Sequence, residues 1–427
     1  MINFRGGDRK QYNLMPHDVN DWLPENHLAR FVVEIIDQLN LSSVYASYKG
    51  YGKDPYDPRL LLGLIFYGYC TGIFSSRKIE SATYDSVAFR FIAGNLHPDH
   101  DTIANFRKTH LDKIEDWFVE ILMIGSQMGL VKMGNVFVDG TKIQANASKH
   151  KAMSYKRALE LEKKLKAEIA TLLEKAAEQD EEEVSVNIPE EIARREDRLK
   201  KIQEAKATIE SRRKEAYEDE LKDYEKKVKK REEKARKTGQ KPRGRSPQKP
   251  SETPQDKDQV NFTDNESRIM KSKNGFEQCY NAQAVANEDM IIVGQHCNNH
   301  ANDKKELLPA IDNVPEPLKN EIKVVAADCG YYSDDNIKGC PEGIQPIVPK
   351  SKAETRLELE ERLNNRTTTE EEIYRKRKYK IEPIFGIIKE ALGFRRFSFR
   401  GEKKVSQEWG LVCLCYNIRR LLKLKLA

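Results

Sequence analysis

Apolar residues recur at three- and four-residue intervals through roughly the first 125 positions, over Arg59–Tyr69, Arg77–Phe91 and Thr102–Met128, and this spacing predicts a set of helices. Asp57-Pro58 opens one of them, Gly94-Asn95 closes another, and Pro98-Asp99-His100-Asp101-Thr102 reads as a loop ending in a helix cap. Such an array suits either a helix-turn-helix DNA reader or a plain helical support. The period then changes to that of strands. Asn135–Gly140 is an apolar run whose end places Asp139 at a strand's carboxyl edge, and further strand patterns lie at Gln278–Ala286, Asp289–Gln295, Ile322–Asp328 and Gly343–Val348. A helix-like stretch, Asp303–Ile311, falls among them, and Leu411–Leu424 reads as a closing amphipathic helix with Arg419, Arg420 and Lys423 on its polar face.

Residues 148–259 interrupt the strand pattern with a stretch rich in Lys, Glu, Arg and Ala, in which the only aromatic residues are Tyr155, Tyr217 and Tyr224. Tyr155, Ala158, Leu165, Ile169, Leu172 and Ala176 follow a three-four spacing, as do Leu199, Ile202, Ile209 and Ala216. Two long helices are expected, turned over Asp180–Pro189 and followed by a flexible basic linker at Gly239–Pro254. The chain therefore reads as an α+β protein in four parts: a helical N-terminal domain at 1–128, the first strand region of an α/β core at 129–147, a charged helical hairpin with its linker at 148–259, and the rest of the core with the C-terminal helix at 260–427.

Composition narrows the function. The most apolar stretch, Leu60–Phe74, is short for a bilayer and broken by Gly63, Gly68 and Gly72, so a buried helix and no membrane role are expected. Met1–Arg9 lacks the apolar run of a signal peptide. The seven cysteines form no Cys-x-x-Cys pair, which fits a reducing cytoplasm without zinc sites or disulfides. His296 and His300, four apart, read as structural, and Trp22, Trp117 and Trp409 as core anchors. The net charge is +6, yet Tyr374–Lys404 alone holds eleven Lys or Arg against three Glu, a net of +8 that leaves −2 elsewhere. Such a stretch suits a polyanion or, equally, a solvated helix face.

Three acids stand where elements end: Asp139 after its apolar run, Asp328 between Lys323–Ala327 and the turn Cys329-Gly330-Tyr331, and Glu382 within the basic stretch. Sites in open α/β sheets form outside the carboxyl ends of strands, so the two aspartates can meet if their strands are neighbours. Three carboxylates suit a pair of hard divalent cations, which prefer oxygen ligands. Each strand-end Asp taken alone also reads as an ordinary turn residue.

Val136-Phe137-Val138-Asp139-Gly140-Thr141-Lys142, Val325-Ala326-Ala327-Asp328-Cys329-Gly330-Tyr331-Tyr332 and Tyr374–Lys389 resemble bacterial insertion-sequence transposases of the DDE class. Tyr56-Asp57-Pro58-Arg59 and Pro98–Thr102 are similar to the N-terminal transposase domain of these proteins, and Asp264–Lys271 with Tyr280-Asn281-Ala282-Gln283 to their core. The resemblance implies an RNase H-like catalytic core in which Asp139, Asp328 and Glu382 are catalytic and bind two Mg²⁺ or Mn²⁺ ions. It implies cleavage of the element's terminal inverted repeats and transfer of the 3′-hydroxyls to target DNA. Double-stranded DNA is then the partner, a homodimer the synaptic form, and the bacterial cytoplasm, at the nucleoid when DNA-bound, the location. The family's signature runs Tyr, two residues, Arg, three residues, Glu, six residues, Lys. Tyr374, Arg377, Glu382 and Lys389 keep that order, but four residues separate Arg377 from Glu382, which leaves Arg377 and Lys378 both candidates for the basic position. Tyr374, Lys378, Glu382 and Lys389 would share one face of a continuous helix, although Pro383 must kink that helix or begin a new one. Tyr374, Arg377, Lys378, Lys389, Arg395 and Arg396 are the expected DNA contacts, with Arg400 extending the track. A nuclease of the same fold that does not join DNA, and an inactive DNA-binding scaffold, are the alternatives.

Overall fold

The computed structural model describes residues 19–48, 54–178, 188–238, 244–272, 275–350 and 368–427. They fall into two compact units, one formed by Met1–Ala145 with Cys279–Ala427 and the other by Asn146–Gln278. The first unit begins with α1 (Leu28–Gln38), α2 (Ser42–Ala46), α3 (Pro58–Thr71), α4 (Ser76–Asp85), α5 (Val87–Ile92), α6 (His100–Thr109) and α7 (Ile114–Gln127), and then enters strand β1 (Asn135–Gln144). Local chemistry sets the ends of α3. The Asp57 side chain accepts from the Arg59 N–H, Pro58 takes the first turn where its missing donor costs nothing, and Gly72 adopts the left-handed φ of +81° that closes the helix. Its residues from Leu61 to Cys70 are buried. Among the described residues no single helix is long and apolar enough to cross a membrane. Two predicted helices are broken. Arg77–Phe91 divides at Ser86, whose backbone is extended, and Thr102–Met128 divides at His110, where a short 3₁₀ turn follows. Apolar periodicity runs through both breaks, so spacing alone does not show them.

The second unit contains β2 (Ala152–Ser154), α8 (Tyr155–Glu178), α9 (Ile188–Thr238), β3 (Gln259–Asn261) and β4 (Arg268–Ser272). The two long helices pack through Ala158, Leu165 and Ile202, with Leu161 and Leu199 alongside; Ala205, Ile209, Val260 and Tyr155 form a second cluster. Their antiparallel register is visible in three polar pairs: Tyr155 with Glu210 at 2.9 Å, Glu162 with Lys206 at 3.0 Å and Glu168 with Arg195 at 3.2 Å. β2 and β3 pair antiparallel, Ala152 facing Asn261 and Ser154 facing Gln259. The turn expected over Asp180–Pro189 lies outside the described residues up to the start of α9. Of the expected linker, residues 239–243 are also outside them. Its described remainder is tied to α9: Arg231 donates to the Gly244 carbonyl at 2.7 Å and Arg213 to the Ser251 carbonyl at 2.7 Å.

The first unit resumes with β5 (Gly275–Asn287), which begins in the second, then β6 (Ile292–Asn298), α10 (Leu307–Asp312), α11 (Glu316–Lys319), β7 (Val324–Ala326), α12 (Asp334–Lys338), β8 (Gln345–Ile347), α13 (Thr368–Lys380), α14 (Glu382–Gly386) and α15 (Glu402–Lys425). The sheet is mixed and six-stranded, in the order β4-β5-β1-β7-β8 with β6 also paired to β5. β6, β5 and β1 run antiparallel to their neighbours, whereas β1, β7 and β8 run parallel. The fold is thus α+β with a mixed sheet, as the pattern of elements predicts.

α15 differs from the expected amphipathic helix. Val405, Glu408–Ile418 and Leu421 are buried, because the helix packs on β6 and on α1, α3 and α7. Arg419 and Lys423 are exposed and Arg420 half-buried, on the side expected to be polar, and the two arginines also donate to the Cys70 carbonyl at 2.6 Å and the Asp289 carbonyl at 2.7 Å. Trp409 and Trp117 are buried, the former donating to the Gln283 carbonyl at 2.8 Å. Trp22 is a correction: it is only half-buried, with the Arg90 guanidinium 4.9 Å above its ring.

Asn417 is fully buried and its amide does the work of a neighbouring strand, accepting from the Ile292 N–H at 2.9 Å and donating to the Ile292 carbonyl at 2.7 Å. Among the described residues β6 pairs with β5 alone, so there those two groups have no ladder partner. Asn417→Leu keeps the volume and removes both bonds. Stranding two buried backbone groups costs about 1–3 kcal/mol each, and a calorimetric scan of the variant is expected to show a melting midpoint lower by several degrees. An unchanged midpoint would mean that water satisfies the edge of β6.

Candidate active site

β1 and β7 run parallel over three residue pairs, from Asn135 and Val324 to Phe137 and Ala326. Asp139 and Asp328 each lie two residues beyond the last pair, so the two aspartates leave the ladder side by side. This differs from the expectation in one respect. Asp139 does not end its strand: β1 continues to Gln144 against β5, with Asp139 opposite Ala284. What ends near Asp139 is the parallel ladder, which leaves its carboxylate room on the β7 side. Asp328 is in a turn, capping the 3₁₀ residues Cys329–Tyr331 by accepting from the Gly330 N–H at 2.8 Å.

The third acid arrives through the break that Pro383 imposes. A proline in a helix interior lacks the N–H for the ladder and its ring strikes the carbonyl four residues back, so α13 stops at Lys380 and Glu382 opens α14. The face expected of one continuous helix is therefore not formed. Across the junction Arg377, not Lys378, turns toward Glu382. Arg377 is buried and Lys378 is exposed. The Arg377 guanidinium lies 3.5 Å from the Asp139 carboxylate through Nη1 and 3.1 Å from Glu382 through Nη2. Its Nε is buried without a hydrogen-bond partner among the described residues. Tyr374, one turn earlier, lies under the same guanidinium at 5.9 Å.

The electrostatics follow from this crowding. Burial pushes the Asp139 carboxyl up to about 7. Arg377 and the Gly140 N–H pull it down, and the negative charges of Asp328 and Glu382 push it further up. Desolvation thus outweighs a direct ion pair, as expected where water is largely excluded. Tyr374 is raised by burial, with Arg377 opposing and Asp328 contributing. The three acids, Arg377 and Tyr374 consequently share one field.

The other basic candidates separate into two groups. Lys389 sits in the single π-helical turn Ile387–Ala391 and is fastened to β1, donating to the Thr141 hydroxyl and, at 2.8 Å, to the Lys142 carbonyl. Arg395 and Arg396 are exposed, and their backbone runs beside the end of β1: the Gln144 N–H donates to the Arg395 carbonyl at 3.2 Å and the Phe397 N–H to the Gln144 carbonyl at 2.9 Å. The Arg395 side chain pairs with Glu390. Arg400 is exposed as well. Away from this region, His296 and His300 both bond the buried Glu306 carboxylate, at 2.8 and 2.7 Å. Burial alone would raise Glu306, but those two bonds outweigh it and hold it at about 2.

A second polar cluster was not singled out by sequence. Asp303 accepts through one oxygen from Asn281 at 2.7 Å and Gln283 at 2.8 Å, with the Lys142 ammonium at 3.3 Å. Gln283 in turn accepts from the Tyr331 hydroxyl, and Tyr331 is fully buried next to the charges of Asp303, Asp139 and Asp328. Gly140 makes this possible: a Cβ there would stand 2.2 Å from the Gln283 amide nitrogen. The signal was available, since Asn281 and Gln283 are amides two apart in a strand whose other positions from Gln278 onward are buried. Polar groups so placed require partners.

Asp139, Asp328 and Glu382 offer only oxygen donors, the preference of hard divalent cations. Among the described residues no three His, Cys, Asp or Glu side chains stand close enough together to form a metal cluster; the Arg377 guanidinium lies between Asp139 and Glu382. The three acids have the donor chemistry of a divalent-ion site without converging on one point here, and the guanidinium is the positive charge that accompanies them.

Comparison with known proteins accords with this geometry. Residues 17–109 match the family described as transposase domain (DUF772), and residues 248–418 match the family described as transposase DDE domain. No curated protein and no solved structure matches the chain. The first match takes in α1 to α6, the second runs from the strap beside α9 through β5, β7 and Glu382 into α15, and with both in one polypeptide the chain belongs to the insertion-sequence DDE transposases.

Proposed function

We propose that this protein cuts the terminal inverted repeats of its own element and joins the freed 3′-hydroxyls to target DNA, with Asp139, Asp328 and Glu382 as the catalytic acids of an RNase H-like core. One observation carries the reading: acids from three separate elements share one field, two at equivalent positions beyond the β1–β7 ladder and the third tied to Asp139 through Arg377. Residues 148–259 are read as a charged helical insertion into that core, and two protomers as the unit that pairs two ends.

The acids would hold two Mg²⁺ or Mn²⁺ ions, which when bound supply the activation of water or a 3′-hydroxyl and stabilisation of the leaving oxygen. The protein's own groups do the rest. Asp328 is oriented by the Gly330 N–H and Asp139 by that of Gly140. Arg377 and Tyr374 flank the acids where a scissile phosphate would lie. Lys389 holds the end of α14 against β1, and Lys378, Arg395, Arg396 and Arg400 offer exposed charge to the DNA backbone, which positions without reading sequence.

Wild type and the single variants Asp139→Ala, Asp328→Ala and Glu382→Ala are to be compared on a labelled fragment carrying the terminal repeat, with Mg²⁺ or Mn²⁺. The wild type is expected to cut at the repeat boundary and to join pre-cut ends, and each variant to bind yet cut at least about a hundredfold more slowly, as for loss of a principal electrostatic group. Cutting by the Glu382 variant would place the third acid elsewhere; cutting without joining would make the protein a nuclease.

The raised carboxyl of Asp139 gives a stability prediction with a definite sign. A carboxyl whose folded pKa of about 7 exceeds its ordinary 3.8 favours the folded state fully at low pH, and that contribution is lost as pH rises from about 4 through 7. Asp139→Asn lacks the loss. In chelator, its unfolding free energy is expected to rise relative to wild type across this window and stay higher above it, by on the order of 1–4 kcal/mol. A constant difference between pH 4 and 8 would show that Arg377 neutralises Asp139 in full.

Asp303 is proposed to position the site through Gln283 and Tyr331. Asp303→Ala is expected to lower the cleavage rate by about 10–100-fold, the range for groups that orient metal ligands, with little change in DNA affinity. Loss of affinity at an unchanged rate would assign Asp303 to DNA contact.

A further inference from the structure

We infer that the distal half of α9 and the strap that follows it form a second DNA-backbone-binding surface, separate from the basic stretch at Tyr374–Lys404. The inference rests on the transposase reading for its partner, and on the second unit alone for its structure.

α8 has 24 residues and α9 has 51, so at about 1.5 Å per residue α9 is roughly 40 Å longer. The polar pairs that set their register begin at Tyr155 with Glu210, the first residue of α8. Beyond that point α9 has no helix beside it within the unit's described residues. Instead the chain returns along it. Arg213 and Arg231 hold the carbonyls of Ser251 and Gly244. Eighteen helical residues cover about 27 Å and seven extended ones about 23 Å, so the strap runs close to straight. Arg213 and Arg231 are also five turns apart at about 3.6 residues per turn and point the same way. Tyr217, Leu221, Tyr224, Val228 and Ala235 are half-buried near that line. Pro247, Pro250 and Pro254 suit an extended strap that needs no ladder donors.

The exposed positions of α9 and of the strap carry the charge. The described residues 226–238 and 244–249 hold ten Lys or Arg against two Glu, a net of +8 that equals that of Tyr374–Lys404 and exceeds the +6 of the whole chain. Lys227, Lys229, Arg236, Lys237, Arg245 and Lys249 are exposed. A second protein helix would need an apolar seam, but the stripe that could provide one is already half-covered. A polyanion needs only closely spaced positive charge, and each phosphate neutralised releases counterions.

The test uses the full-length protein, with the exposed bases neutralised in K227Q/K229Q/R236Q/K237Q and their charge retained in K227R/K229R/K237R. Affinity for a labelled duplex of unrelated sequence is measured between about 50 and 200 mM salt, where log K falls by about 0.9 per phosphate contact for each decade of salt. The Gln variant is expected to lose about 2–4 units of slope and at least about tenfold in affinity at the upper salt, with the Arg variant unchanged and helix content intact by circular dichroism. An unchanged slope in the Gln variant overturns the inference, as does an equal loss in the Arg variant. A change in sedimentation without DNA, at unchanged slope, also overturns it and assigns the surface to self-association. Wild-type cleavage of the terminal repeat, run on the same preparation, reads the transposase proposal separately: binding without cutting sinks that proposal and leaves this surface standing.

Discussion

A carboxylate placed where water is scarce has to be balanced by something, and in this protein the balance at Asp139 governs the design around it. Desolvation lifts its carboxyl to about 7 in spite of Arg377, so the guanidinium compensates only part of what burial takes away. Arg377 reaches Asp139 from within α13, and it reaches Glu382 across the break where α13 ends at Lys380 and α14 begins at Glu382. The helix break, the buried arginine and the acids are therefore one arrangement. A longer α13 would carry Glu382 around the helix axis and out of the arginine's reach.

Support for this arrangement comes from α15, whose Trp409 stacks on Phe385 of α14. α15 is buried on nearly every face over its middle, and its polar groups are used on backbone: Trp409 on Gln283, Asn417 on Ile292, Arg419 on the last turn of α3. Gln283 lies on the strand next to Asp139 and belongs to the Asp303 cluster. A chain of direct contacts thus runs from the N-terminal helices through α15 to the strand that backs the acids. Glu408 adds to it, buried and bonded to the N–H groups of Ser398 and Phe399 at 2.9 and 3.1 Å, just past the arginines beside β1.

Much of this was legible in the sequence where one physical rule dominates. Asp57-Pro58 and Gly72 bound α3, the three-four spacing marks α8 and α9, and the apolar runs before Asp139 and Asp328 locate β1 and β7. Elements decided by tertiary contact were less legible. Leu411–Leu424 reads as amphipathic, and its exposed Arg419 and Lys423 agree, but Glu408–Ile418 is buried all round by contacts that spacing does not show. Ser86 and His110 break helices that spacing joins. Arg377 and Lys378 are adjacent bases that no spacing rule separates; the turn imposed by Pro383 decides between them. Asp303 lies in a polar loop and gains meaning only from Asn281 and Gln283 across the sheet.

The small ladder between β2 and β3 has a consequence for the history of the chain. It brings the outgoing and returning strands together at Ala152 and Asn261 before the long helices begin and after the strap ends. Everything between those two positions is a loop whose mouth is already closed, and lengthening a closed loop costs little because the entropy grows only with the logarithm of its length. Descendants of this polypeptide can therefore gain or shed whole helical turns at the far end while the residues at the mouth keep their register. The excursion is a place where lineages are free to differ in size, and relatives that share the acids should be found with arms of many lengths.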